Sequence, residues 1–264
     1  MIPLRDNIPS HHPPLTNYVV LFVTSCVFLL QLAAAGRPGE GLEEKYGMIP
    51  IRVLHPHETV KMQEVVRIRG QEFVRIHELP ATTIPPWITL VSCMFLHGGW
   101  LHFLGNMWFL YIFGDNVEDR LGHVGYALFY LVSGVAAGLV HLVTNASSPV
   151  PTIGASGAIA GVMGAYFVLY PRATVLSLVP LLGFAQIVVL PAPLFLGFWF
   201  LMQFFQGTMA ITSMRTGGVA WWAHIGGFVV GVLAALILRA IRRDDDAHPP
   251  FADHRSRVGM YRYR

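Results

Sequence analysis

Residues 219–240 read VAWWAHIGGFVVGVLAALILRA, and this stretch decides the fold. No Asp, Glu, Lys or Arg interrupts it until Arg239, and its one titratable group before that is His224. About 20 mostly apolar residues in a helix cross a hydrocarbon core of about 30 Å, so the segment reads as a membrane span closed by Arg239, Arg242 and Arg243. Outward from it, residues 7–36, 79–114, 121–171 and 173–214 are equally free of those four residue types. The whole chain is 54% hydrophobic and 12% charged, against about 25% charged in an ordinary soluble domain. Mean hydropathy is +0.52.

Six spans fit these runs, giving an all-α, polytopic membrane helix bundle. They are 18–35, then 100 to the charges Asp115, Glu118, Asp119 and Arg120, then 124–144, 156–170, 192–206 and 219–240. The fourth is short, which places it inside the bundle; Gly207 is read as the stop of the fifth. Arginines crowd the end of the chain, and the positive-inside rule makes that tail cytoplasmic. An even number of spans then returns the N-terminus to the same side. The organisation is a cytoplasmic segment 1–17, a membrane domain 18–240 with a long extracytoplasmic first loop at 36–99, and a basic cytoplasmic tail 241–264. The setting expected is a bacterial inner membrane. An arginine cluster beside a last span reads as an orientation signal and not as a nucleic-acid site. Ala33-Ala34-Ala35 imitates a signal-peptidase site, but Arg5 alone is a weak basic prelude, so the first run is kept as a span. Cys26 and Cys93 form no metal or disulfide pattern.

Two stretches between spans carry strand signals. Glu64–Arg69 and Phe73–Ile76 alternate about Gly70-Gln71, a short hairpin. Residues 173–190 are apolar yet divided by Pro180 and Gly183, which suits an interfacial hairpin better than a seventh span.

Polar groups inside spans are costly, so Ser156, Asn106, His102 and His224 are candidates for function. If odd spans run outward and even spans inward, spans two, four and six all begin at the outer face. His102 and Asn106 open span two on one helix face, Ser156 opens span four and His224 lies a turn into span six. Gly157, Gly161 and Gly164 on one span, with Ala223, Gly227 and Gly231 on the other, let the two backbones approach closely. His224 is then the candidate base for the Ser156 hydroxyl. The Ser156 N–H with the His102 and Asn106 side chains are candidate donors to an oxyanion. No carboxylate lies in the spans to orient His224, so the arrangement is a dyad.

These residues also resemble a known family. Gly154-Ala155-Ser156-Gly157, the series His97, His102 and Asn106, and Ala223-His224-Ile225-Gly226-Gly227 with Gly231 are similar to the three signatures of the rhomboid family, in the same order. The resemblance implies a six-span serine endopeptidase that cuts transmembrane segments of other membrane proteins near the extracytoplasmic face, without metal or cofactor. It implies Ser156 as nucleophile, His224 as base, His102 and Asn106 as oxyanion donors, and His97, Gly154, Gly157, Gly227 and Gly231 as structural support. The chain departs from the family at Trp87-Ile88, where a Trp-Arg pair is common, and at Ala160, where an aromatic can pack on the histidine.

Blander readings exist for each residue. Ser156 alone would be a helix cap, Asn106 alone polar glue between helices, and His224 alone an interhelical partner. His141 faces no motif, and Trp108, Phe109, Trp199 and Phe200 read as core or lipid-facing. No His-Glu-x-x-His helix or pair of intramembrane Asp supports a metallo- or aspartyl protease. A catalytically silent relative that binds or escorts membrane proteins is the alternative function, and a transporter is disfavoured by the lack of an inverted repeat.

Overall fold

The computed structural model describes residues 1–34, 41–68, 71–79, 84–181, 184–212 and 220–241. Long apolar runs become helices: α1 (Leu15–Ala33), the minor helices α2 (Leu42–Tyr46), α3 (Pro50–Leu54) and α4 (Thr89–Ser92), then α5 (Trp100–Thr144), α6 (Ser156–Leu169), α7 (Ala192–Thr212) and α8 (Trp221–Ile241). Gly122 divides α5 into two arms. Its φ of 71° lies in the left-handed region that glycine enters without a Cβ penalty. Among the described residues, α1, α5 and α8 are long and apolar enough to cross a membrane. The protein is a membrane protein, and its six expected helical segments correspond to α1, the two arms of α5, α6, α7 and α8.

At the centre stands α6, in which every residue from Gly157 to Tyr166 is buried. A helix apolar on all sides can be satisfied only when surrounded, which explains why this short segment is enclosed by longer neighbours. Phe113 packs edge-on against Tyr166 of α6, with Phe195 beside it, and all three rings are buried.

The all-α expectation is corrected by five strands among the described residues, which are otherwise mostly helical. Thr174–Leu181 and Phe184–Pro191 pair antiparallel as a hairpin over the stretch divided by Pro180 and Gly183. Ile2–Asp6 adds to it, from Ile2 opposite Leu178 to Asp6 opposite Val175, so β1, β4 and β5 form a three-stranded sheet. The first loop carries β2 (Val60–Ile68) and β3 (Gln71–Leu79). Ile68 pairs with Gln71, as a hairpin requires, and the expected turn residue Gly70 lies outside the described residues. A second correction concerns Gly207, which does not end its helix: α7 runs on to Thr212. Gly207 serves close packing instead, because a Cβ there would lie 3.1 Å from the Trp221 Cβ. The basic residues beyond Ile241 lie outside the described residues.

Charges at the end of the first arm of α5 have structural employment. The first N–H groups of a helix lack partners, and Pro14 at the start of α1 offers no side-chain cap. Buried Glu118 supplies it from afar, accepting from the Thr16 N–H at 2.9 Å and the Asn17 N–H at 2.8 Å. Asp119 likewise accepts from the backbone of His11 at 2.6 Å and His12 at 3.0 Å. Asp6 accepts from Asn116 Nδ2 at 2.9 Å and from the Tyr166 hydroxyl at 2.5 Å. Burial pushes the Asp6 carboxyl up to about 6 in spite of those bonds.

Candidate active site

The opposite end of the bundle gathers the candidate residues. Ser156 is the first residue of α6, and His224 sits a turn into α8, so each rests on a rigid element close to its end. Glycine makes their meeting possible. A Cβ on Gly227 would overlap the carbonyl group of Gly157, lying 3.0 Å from its carbon, and one on Gly231 would lie 2.7 Å from the carbonyl carbon of Gly161. The two helices therefore touch backbone to backbone. At that separation His224 Nε2 lies 2.7 Å from Ser156 Oγ, and the imidazole itself is buried.

The His224 imidazole has a partner on its other side. Its Nδ1 lies 2.7 Å from Oε1 of buried Gln203 on α7. Trp199, one turn earlier on that helix, places its ring 5.8 Å from the imidazole, and Trp221 meets it edge-on at 6.2 Å. These rings occupy the role open at Ala160, which is wholly buried against the glycine contact. The sequence assigns Trp199 to core or lipid-facing packing, and Gln203 carries no motif there. A signal for Gln203 was present, since a carboxamide inside a charge-free span needs a partner.

His102 approaches from the first arm of α5. Its Nδ1 accepts the Gly98 N–H at 3.3 Å, which leaves the proton of a neutral ring on Nε2. That edge faces Gly154: a Cβ there would lie 2.8 Å from Nε2 and Cε1 of His102 and 3.6 Å from Ser156 Oγ. Gly154 also holds φ at 125°, so both backbone and space demand glycine. Asn106 is buried, but the bond its amide makes is to the His102 carbonyl at 2.9 Å; among the described residues it has none to Ser156 or His224. The N–H groups at the start of α6, which a helix leaves without intrahelical partners, lie at the same end.

His97 stands behind this row. It is buried, with its ring 5.1 Å from His102 and 5.6 Å from Phe103, and Gln31 of α1 clamps its backbone by accepting from N–H at 3.0 Å and donating to C=O at 2.8 Å. His141, on the second arm of α5, lies 3.4 Å from the amide of Asn145 just past the end of that helix and, among the described residues, makes no hydrogen bond to Ser156. Among the described residues no three His, Cys, Asp or Glu side chains converge as a metal site.

A hydroxyl and two imidazoles thus face one space at the end of α6, in chain order His102, Ser156, His224. The sequence profile of the Rhomboid domain matches residues 85–241, which contain all of them. The chain belongs to the rhomboid family. Among its relatives, Rhomboid-like protein 11, chloroplastic, of Arabidopsis thaliana is 30% identical over 159 residues, 58% of this chain and 53% of that one. Rhomboid protein 1, mitochondrial, of Saccharomyces cerevisiae is 30% identical over 151 residues, covering 55% and 40%. Rhomboid protease GluP of Bacillus subtilis is 32% identical over 154 residues, covering 58% and 26%. The matched part of this rhomboid chain spans at most about half the length of these relatives. Their names and organisms fall in chloroplast, mitochondrion and bacterium, so they fix no compartment.

Proposed function

We propose that this rhomboid protein is an intramembrane serine endopeptidase in which Ser156 and His224 form the catalytic dyad. The observation that carries the reading is the 2.7 Å separation of Ser156 Oγ from His224 Nε2 inside a membrane bundle. Ser156 Oγ attacks the scissile carbonyl carbon while its proton passes to Nε2. The oxyanion so formed meets the Ser156 N–H, the Nε2–H of His102 and, after a change of rotamer, an amide N–H of Asn106. Collapse breaks the C–N bond, and His224 returns the proton to the departing amine. Water then enters, gives its proton to His224 and cleaves the acyl-serine ester, restoring both groups.

Substrates are transmembrane segments of other membrane proteins, cut near the extracytoplasmic face. In this reading all six helical segments cross the bilayer, the first loop lies outside, and both termini are cytoplasmic under the pull of Arg239 and the arginines after it. A bacterial inner membrane suits that orientation.

The test is cleavage of a tagged single-span substrate in liposomes, together with labelling by a fluorophosphonate. Wild type should cut and label, and Ser156→Ala and His224→Ala should do neither. Substrate that co-purifies uncut with wild type, with no labelling, would establish the silent escort instead.

A further inference from the structure

We propose that Gln203 is the positioning residue of the dyad: its Oε1 accepts the Nδ1–H of His224 and so leaves Nε2 free to take the Ser156 proton. The proposal rests on the dyad reading and adds a third member to it. A neutral imidazole carries one N–H, and which nitrogen bears it decides whether the ring can act as base toward a given neighbour. A carboxamide oxygen only accepts. With Oε1 at 2.7 Å the proton belongs on Nδ1, and the lone pair then faces Ser156 Oγ at 2.7 Å. The titratable groups that face His224 are His102 and His141, one from each arm of α5, and neither is a carboxylate.

An amide suits this place. In a serine-histidine-aspartate triad a carboxylate holds the tautomer and also stabilises the imidazolium, but an isolated charge buried among apolar helices is costly. Gln203 keeps the tautomer and brings no charge. Helix periodicity supports the assignment from a second direction. Gln203 follows Trp199 by four residues, so one face of α7 presents both the acceptor and the ring that packs 5.8 Å from the imidazole. Translation of α7 relative to α8 would withdraw them together.

The experiment uses the full chain in liposomes with the single-span substrate and compares Gln203→Leu with Gln203→Glu. Loss of the partner that orients a metal-ligating histidine typically costs 10- to 100-fold, and the same orienting role at His224 predicts that Gln203→Leu lowers kcat by about that factor with KM within about twofold. Gln203→Glu retains an acceptor and should recover kcat to within about fivefold of wild type. Nitrogen NMR of histidine-labelled wild type, with the His224 signal assigned by its loss in His224→Ala, should show protonated Nδ1. Proton on Nε2 in that spectrum overturns the proposal even if Gln203→Leu fails to fold. Undiminished kcat in Gln203→Leu overturns it as well, provided Ser156→Ala is dead; activity surviving Ser156→Ala would instead sink the dyad itself.

Discussion

Replacing Gly227 by alanine tests the claim that backbone contact sets the dyad. The added Cβ would sit 3.0 Å from the Gly157 carbonyl carbon and nearer still to its oxygen, where carbon atoms prefer about 3.5–4.0 Å. Neither carbonyl nor helix can turn aside, so α8 must move from α6 by roughly 0.5–1 Å. Ser156 adjoins Gly157 and His224 lies one turn before Gly227, so the displacement falls on the 2.7 Å hydrogen bond and takes it to about 3.5 Å, past useful reach. Misplacement of about 1 Å can cost about a hundredfold in rate, and overpacking typically costs 1–3 kcal/mol of stability. Cleavage kinetics and fluorophosphonate labelling should both fall about a hundredfold, while a melting scan still shows a cooperative, earlier transition. A folded Gly227→Ala protein with wild-type kcat would refute the argument, because the helices would then have room that the structure denies them.

Other expectations concern the far end of the bundle. Glu118→Ala removes the cap of α1 and should destabilise by about 1–2 kcal/mol, visible as a lower Tm with cleavage preserved below the transition; an unchanged Tm would contradict the capping role. Asp6, with its carboxyl raised to about 6, binds its proton more tightly in the folded protein than in the unfolded chain. Stability from this group is therefore full below about pH 4 and lost as pH rises through 6, by on the order of 1–2 kcal/mol after allowance for its partial exposure. Melting scans of Asp6→Asn should lack that part of the slope, and identical slopes in the two proteins would remove Asp6 from the account.

The parts of the fold visible in the sequence are those governed by local composition. Charge-free runs located the starts of α5, α6 and α7 at Trp100, Ser156 and Ala192, because burial in lipid acts on every residue of a span. The alternation of span directions also brought Ser156 and His224 to one depth before any contact was known. What escaped was set by distant partners. Glu118 and Asp119 read as charges at a span exit, yet they bond to the backbone of residues about a hundred positions earlier. Gly207 followed the usual rule for a helix stop and was kept for its lack of a side chain against Trp221. Gln203 and Trp199 lie in an apolar run with no motif around them, and only the packing of α7 on α8 discloses their bearing on the imidazole. Asn106 shares the His102 face as its spacing predicts, though its amide turns back to the helix it stands on.

The pairing of Ile2–Asp6 with Thr174–Leu181 has a consequence for biogenesis. Among the described strands the earliest made cannot find its neighbour until most of the membrane domain has left the ribosome, and contacts so remote in sequence form slowly. Four helical segments are made while that strand is unpaired, and its late closure joins Ile2–Asp6 to the connection between α6 and α7.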